Sequence, residues 1–233
     1  MTSEKKSPEQ KVEAVERALS ILEVFSEGQI SLSLSELAQV TGLYKSTILR
    51  LCGSLERFGY IRKDEEGRYH LGPGLWRLGS LYRKNFAAGD QIRPELRYLT
   101  KVTGETSSFF VREGDQRLCL YRENSKKEVR HHLEEGLRLP VNMGGTGRIL
   151  LAYSGARGAP YDEIRIDGYY VSLGERDPDL FSVAMPIFNA RGALAGAFSV
   201  SGLISRYNEK IRDDILVELR TSAKRLAGSL PDD

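Results

Sequence analysis

The stretch LSLSELAQVTGLYKSTILRL, residues 32–51, decides the fold. Inside it Ser33-Leu34-Ser35-Glu36 has the S-x-x-E spacing of a capping box. Leu37, Ala38 and Val40 then supply a short apolar face before Thr41-Gly42-Leu43 breaks the pattern, which predicts a helix of about two turns. A new pattern begins at Lys45, with Ile48, Leu51/Cys52, Leu55 and Phe58 on one stripe and Gly59 closing it. At about 100° per residue, Ser46, Arg50, Gly53 and Arg57 share the opposite side. Two short helices joined by a tight glycine-containing turn, the second with a small and basic outer face, read as a helix-turn-helix. A helix that enters the major groove needs little bulk and donors that reach bases or phosphates.

Outward from this core, Val15, Ala18/Leu19, Leu22 and Phe25 recur at helical spacing and Gly28 stops the run. On the other side Tyr60–Lys63, a turn at Asp64–Gly67 and Arg68–Leu71 read as a β-hairpin, which in this position is a wing. A generic three-helix core with a hairpin and a solvated charged face fits the same pattern. Gly72-Pro73-Gly74 opens a further helical stretch through Leu75, Leu78/Gly79 and Tyr82, suited to a linker. Beyond Asp90, Ile92, Leu96 and Leu99 predict an amphipathic helix. Short runs at 105–111, 117–123 and 128–133 predict strands, followed by a helix near Gly147, strands at 168–173, 180–188 and 193–201, and a last helix in 207–227. The order is that of an α+β domain, one sheet with helices packed on it.

Charge supports the division. The chain has 233 residues and a net charge of +2, and residues 1–85 carry 13 Lys and Arg against 11 Asp and Glu, so the whole excess lies in the N-terminal third. Within 41–63, Lys45, Arg50, Arg57, Arg62 and Lys63 oppose only Glu56, a local patch that invites an anionic partner. Lys45, Ser46, Thr47 and Arg50 open the exposed side of the third helix, where base edges are reached. Arg57 and the wing residues Arg62, Lys63 and Arg68 lie farther along and suit phosphates. No apolar run approaches the ~20 residues needed to span a bilayer, and the polar start MTSEKKSPEQK lacks the apolar core of a secretory signal, so a cytoplasmic protein is expected. Cys52 and Cys119 stand alone, without metal-ligand spacing, and read as buried small hydrophobes; no metal and no cofactor are expected. An enzyme is not expected either, for there is no G-x-S-x-G elbow, no HExxH and no evident acid-base pair.

VERALSILEVF, LSLSELAQVTGLYKSTILRL and GYIRKDEEGRYHLGPGLWRLG resemble the winged helix-turn-helix of the IclR (isocitrate lyase regulator) family of bacterial transcription factors. TGET, LRLPVNMGGTGRILLA, VAMPIF and VSGLISR resemble that family's C-terminal effector-binding domain. The resemblance implies a winged helix-turn-helix over 1–73 with a disordered start at 1–10, a linker helix over 74–89, and a GAF-like effector domain over 90–233. It implies a ligand-responsive regulator, expected to repress, that binds double-stranded operator DNA as a homodimer or a dimer of dimers. The alternative is an architectural DNA-binding protein whose C-terminal domain only oligomerises.

Two features of the residues suit a small ligand. Strand 193–201 is expected to show Leu194, Phe198 and Val200 on one face and Ala195, Ala197, Ser199 and Ser201 on the other. Strand 180–188 likewise sets Phe181, Val183, Met185 and Ile187 against Ser182, Ala184 and Pro186. Small faces leave volume where a packed helix needs bulk, although an exposed strand face reads the same way. Met143-Gly144-Gly145-Thr146-Gly147 leads into a helix N-terminus, a seat for an anion that lacks the residues of a P-loop. By matching to the family, Gly145 and Thr146 become donors to a small carboxylic acid, Ser182, Ser199 and Ser201 fall at pocket positions, and Leu139 and His131 form walls. Alternation would place His131 and His132 on opposite sides of a strand. Two departures stand out: the segment 153–167 is short for the family, so a covering helix is expected to be shortened or lost, and Ser172 is a neutral hydroxyl where some members carry an acid.

Overall fold

The capping box at Ser33 forms as its spacing requires. In the computed structural model, which describes residues 11–26, 28–85, 88–131 and 133–230, Ser33 Oγ accepts from the Glu36 N–H (3.3 Å) and the Glu36 carboxylate accepts from the Ser33 N–H (2.7 Å). Both bonds satisfy first-turn donors that no helical carbonyl can reach. They also hold the Glu36 carboxyl below its ordinary value, the backbone bond to Ser33 contributing most. Helix α1 (Glu13–Glu23) precedes this point, and α2 (Leu34–Thr41) starts from it. Gly42 stops α2 at φ +70°, in the left-handed region where a Cβ is strained. The chain then re-enters a helix at α3 (Lys45–Arg57).

Ile21 of α1, Leu37 of α2 and Ile48 of α3 meet in one core and are fully buried there, together with Cys52 and Leu55. Strands β1 (Ile61–Lys63) and β2 (Tyr69–Leu71) form the antiparallel hairpin, with Ile61 opposite Leu71. Leu32 and Tyr69 exchange two backbone hydrogen bonds (3.0 and 2.7 Å), so the segment before α2 adds a rung to the wing. Helix α4 (Pro73–Asn85) follows, and the first of two compact units, Met1–Asn85, ends with it.

The second unit, Phe86–Asp233, is built on one antiparallel sheet. Its elements are α5 (Gly89–Thr103), β3 (Thr106–Glu113), β4 (Gln116–Glu123), β5 (Arg138–Pro140), α6 (Gly145–Tyr153), α7 (Tyr161–Asp167), β6 (Tyr170–Leu173), β7 (Leu180–Phe188), β8 (Leu194–Leu203) and α8 (Glu209–Leu226). The strand order is β5-β4-β3-β8-β7-β6. Helices α5 and α8 cover one face, over a core that includes Leu99, Phe109, Phe181, Phe198 and Leu219. Helices α6 and α7 cover part of the other, over Phe110, Ile149, Leu150, Ile164 and Ala197. The alternation expected for 180–188 holds: Phe181, Val183, Met185 and Ile187 face α5 and α8, whereas Ala184 faces α6.

Two expectations need correction. Residues 128–131 and 133 form no strand; the sheet edge is instead β5. The backbone there is satisfied by side chains from other elements, with Arg122 donating to the His131 carbonyl (2.7 Å) and Arg206 to that of Val129 (3.4 Å), so no ladder partner is required. Leu194 and Ala195 also exchange faces. The register of β7 with β8 slips between Ile187 and Phe188, and this bulge turns Leu194 toward the α6 side and Ala195 toward the α5 side. The short segment 153–167 carries a seven-residue helix, α7, whose Ile164 is buried against α6.

His132 and residues 1–10 lie outside the described residues, as do Phe86 and Ala87. Among the described residues no helix is long and apolar enough to cross a membrane, and no group of three His, Cys, Asp or Glu could hold a metal ion. Both cysteines are buried, and burial pushes their thiols up, Cys52 to about 11 and Cys119 to about 12.

Candidate functional site

The first unit offers one polar helix face. Burial of Ile48, Cys52 and Leu55 fixes the rotation of α3, so Lys45, Ser46, Arg50 and Arg57 are exposed and Thr47 half-buried. Gly53 on this face has open space where a side chain would stand. Lys45 Nζ donates to Ser35 Oγ of α2 (2.8 Å), which orients the start of the face. On the wing, Arg62 and Lys63 are exposed, and the Lys63 ammonium lies 5.4 Å from the centre of the Tyr69 ring. Arg68 is different. Its guanidinium donates to Ser31 Oγ (3.0 Å), the Ser31 carbonyl (3.0 Å) and Glu36 (3.1 Å), so it ties the wing to the cap of α2. Tyr44, the residue before α3, is 84% exposed; sequence patterning passed over it because an isolated aromatic in a turn has no period.

In the second unit the sheet itself makes a floor. Strand register places Ser172, Ser182, Ser201 and Thr106 side by side on four neighbouring strands, and Ser199 between Ala184 and Ser108 in the next row. Direct cross-strand neighbours stand about 5 Å apart, so the hydroxyls form a continuous polar row. Over this floor comes the N-terminus of α6. A Cβ at Gly145 would meet Ser182 Oγ at 2.5 Å and Ala184 Cβ at 3.1 Å, so only glycine lets the helix start so close to the sheet. The result is a cavity of about 470 Å³ including its mouth, whose walls contain every residue matched to the family's pocket: Gly145 and Thr146 of α6, Ser182, Ser199 and Ser201 of the floor, Leu139 of β5, and His131.

The cavity also holds groups the sequence reading missed. Arg117 and Arg122 of β4 and Arg176 of the β6–β7 loop line it. Arg117 and Arg122 are five residues apart, which strict alternation would put on opposite faces. A bulge corrects this: Phe109 pairs with Tyr121 but Phe110 with Cys119, leaving Leu120 as the extra residue and turning both arginines to the α6 side. Arg117 donates to Thr146 Oγ1, and its Nε has no partner although the residue is 4% exposed. Arg122 donates to Asn124 (3.0 Å), Ser108 (2.9 Å) and the His131 carbonyl (2.7 Å). Burial pushes both guanidiniums down to about 10, and the charge of Arg176 acts in the same direction on each.

His131 is fixed in one tautomer. Arg176 can only donate, so the imidazole Nε2 accepts from it (2.8 Å), which leaves the proton on Nδ1 facing Ser201 Oγ (3.3 Å). Burial, then the charges of Arg122 and Arg176, push this imidazole down to about 3, so it is neutral in ordinary buffers. Glu175 sits at the N-terminus of α6, accepting from the Gly144 N–H (3.2 Å) and Arg148 (3.2 Å). Burial raises its carboxyl, but the bonds to Tyr170, Arg148 and Gly144 outweigh that and leave it below its ordinary value.

A winged helix-turn-helix joined to an antiparallel domain with a polar cavity defines a transcriptional regulator with a separate ligand-binding domain. The IclR helix-turn-helix domain matches residues 14–65, and the bacterial transcriptional regulator IclR C-terminal domain matches 84–159 and 159–227, two stretches that meet inside the short segment. The chain belongs to the IclR family of bacterial transcriptional regulators. It is 29% identical over 228 residues to the regulator BhcR of Paracoccus denitrificans, spanning 85% of this chain and 80% of that one. It is 27% identical over 226 residues to the repressor AllR of Klebsiella pneumoniae, 86% of this chain and 83% of that one. Among solved structures, an IclR-type regulator from Alicyclobacillus acidocaldarius covers 93% of this chain and 98% of its own at 25% identity, with a TM-score of 0.78. An IclR homologue from Microbacterium hydrocarbonoxydans, solved with 4-hydroxybenzoate, shares the fold at 20% identity, covering 91% of this chain and 97% of its own, with a TM-score of 0.77.

Proposed function

We propose that this protein is a cytoplasmic repressor whose hold on operator DNA is set by a small carboxylic acid bound in the cavity of the second unit. The single observation that carries this reading is the concentration of donors there. The start of α6, a row of hydroxyls and buried guanidiniums, one with an unpartnered Nε, converge on one space, an arrangement that favours an anion and has no use in a domain that only oligomerises. A regulator of the same fold holding an aromatic carboxylate supports the choice of ligand class.

On the DNA side, Lys45, Ser46, Thr47 and Arg50 read base edges, while Arg57, Arg62 and Lys63 take phosphates; Arg68 acts by anchoring the wing. Operator binding requires at least a dimer, because one module makes too few contacts. Its interface is built on α1 and α4, where Val15, Leu19, Trp76, Leu78, Leu81 and Tyr82 are all 40% or more exposed.

Calorimetric titration with a panel of organic acids, beside operator titrations at fixed salt, tests the reading. At least one acid should bind and change operator affinity, and Ser199→Leu, which fills the floor, should abolish that response while leaving acid-free DNA binding intact. No heat and no change in affinity with any acid at millimolar concentration would overturn it. Sedimentation that shows only monomer while tight operator binding persists would overturn the dimer.

A further inference from the structure

The cavity holds more positive charge than a single carboxylate can match. Among the described residues, none of Arg117, Arg122 and Arg176 has a carboxylate within ion-pair distance. Of the two acids in the wall, Glu175 is paired with Arg148 (3.2 Å), and Asp177 accepts from the Asp179 N–H (3.1 Å). Glu175 is neutralised by Arg148, which lies outside the wall, so the three guanidiniums of the wall are opposed only by Asp177, an excess of two positive charges around a neutral His131. Arg117 and Arg122 are 4% and 7% exposed, so water screens neither well, and an unpaired buried charge is costly until a counter-charge arrives.

The cations also enter from two ends. Arg117 pairs across the sheet with Arg112 and Arg122 with Ser108, four residues apart on β3, so their Cα atoms are about 13 Å apart along the strand. One end presents Arg117, Thr146 and the first turn of α6. The other presents Arg122, with Arg176 and Ser201 gathered around His131. Ser182 and Ser199 lie on the floor of the same cavity.

Resting on the reading of this cavity as the ligand site, we propose that its ligand is a small dianion with two separated anionic groups, one met by Arg117 and the start of α6, the other by Arg122 and Arg176. The first group is a carboxylate, and the second is a carboxylate or a phosphate, the latter bringing the total charge to between about −2.5 and −3 near neutral pH. Arg117 Nε, buried and without a partner, is a donor that the anionic group at this end satisfies. Binding neutralises the charge excess and ties the loop that carries Arg176 to the sheet.

The test uses the full-length wild-type protein and calorimetry at constant salt. The α,ω-dicarboxylates from malonate to adipate are each compared with the monocarboxylate of equal chain length, and phosphoglycolate represents the phosphate case. At least one dianion should bind tenfold or more tightly than its matched monoanion. Arg117→Met and Arg176→Met should each reduce that dianion's affinity by about ten- to a hundredfold, the worth of one charge-assisted contact. A best response to phosphoglycolate would identify the second group as phosphate, and a best response to a dicarboxylate would identify it as carboxylate. Monocarboxylates that bind as tightly as their matched dianions would overturn the dianion proposal while leaving a single-anion sensor in place. Failure of every acid in both series would overturn the cavity as the ligand site. The wild-type comparison stands even if a variant fails to fold.

Discussion

Replacing Arg117 with methionine should make the ligand-free protein more stable while weakening its hold on the ligand. Burial holds the guanidinium down at about 10, a depression worth about 3 kcal/mol against the charged form. Two contacts are lost in exchange. The bond to Thr146 is worth about 1.5 kcal/mol because its donor is charged, and the placement over the Phe110 ring, 5.2 Å from its centre, about 0.5 kcal/mol. Methionine keeps the reach of the side chain and brings no charge to desolvate. The balance is a gain of about 1 kcal/mol, or a rise in melting temperature of about 2–4 °C for a chain of this size. Differential scanning calorimetry of both proteins in a carboxylate-free buffer reads it directly. A variant that melts several degrees lower would refute the reasoning, because Arg117 would then be a structural residue rather than a cation waiting for a counter-charge.

Arg50→Ala should weaken operator binding by about 1–3 kcal/mol and relax preference at one base pair, read by titration against single-base operator variants at matched salt; unchanged affinity would remove Arg50 from the recognition set. Arg68→Ala should weaken binding to all sequences alike while increasing protease cleavage at the wing, since its bonds to Ser31 and Glu36 fix that hairpin; a loss confined to one base pair would mean that Arg68 leaves those bonds to read DNA. His131 takes up a proton near pH 6.5 in the unfolded chain but only near pH 3 when folded, so the unfolded state binds more protons between these values and stability falls as the pH drops below 6.5. Denaturant melts should show wild type losing about 2 kcal/mol relative to His131→Gln between pH 6.5 and pH 5; parallel pH profiles would show that the imidazole is not held neutral.

The helix-turn-helix was legible because its signals are local. Ser33 with Glu36, the stop at Gly42 and the stripe of Ile48, Cys52 and Leu55 lie within 23 residues and need no distant partner to be read. Strand β7 was equally plain, since its alternation runs unbroken from Phe181 to Ile187. Bulges are where reading failed. The extra residue Leu120 in β4, and the slip that exchanges Leu194 and Ala195 in β8, are set by pairing with other strands, and neither leaves a mark in its own sequence. For that reason the serines of the floor could be named in advance, whereas Arg117 and Arg122, the charges that select the ligand, could not. The segment before Leu133 failed for a related cause. Its β-like composition is outweighed by Arg122 and Arg206, which reach its carbonyls from elsewhere in the chain.

The central claim is that occupancy of the cavity and occupancy of DNA are energetically linked. The most direct measurement is operator affinity by fluorescence anisotropy at one salt concentration, with and without a saturating dianion from the series above, followed by the dianion's own affinity for free and operator-bound protein. Linkage predicts that both affinities change by the same factor, about 5- to 150-fold for a typical coupling. A dianion that binds in the cavity yet leaves operator affinity unchanged would contradict the account.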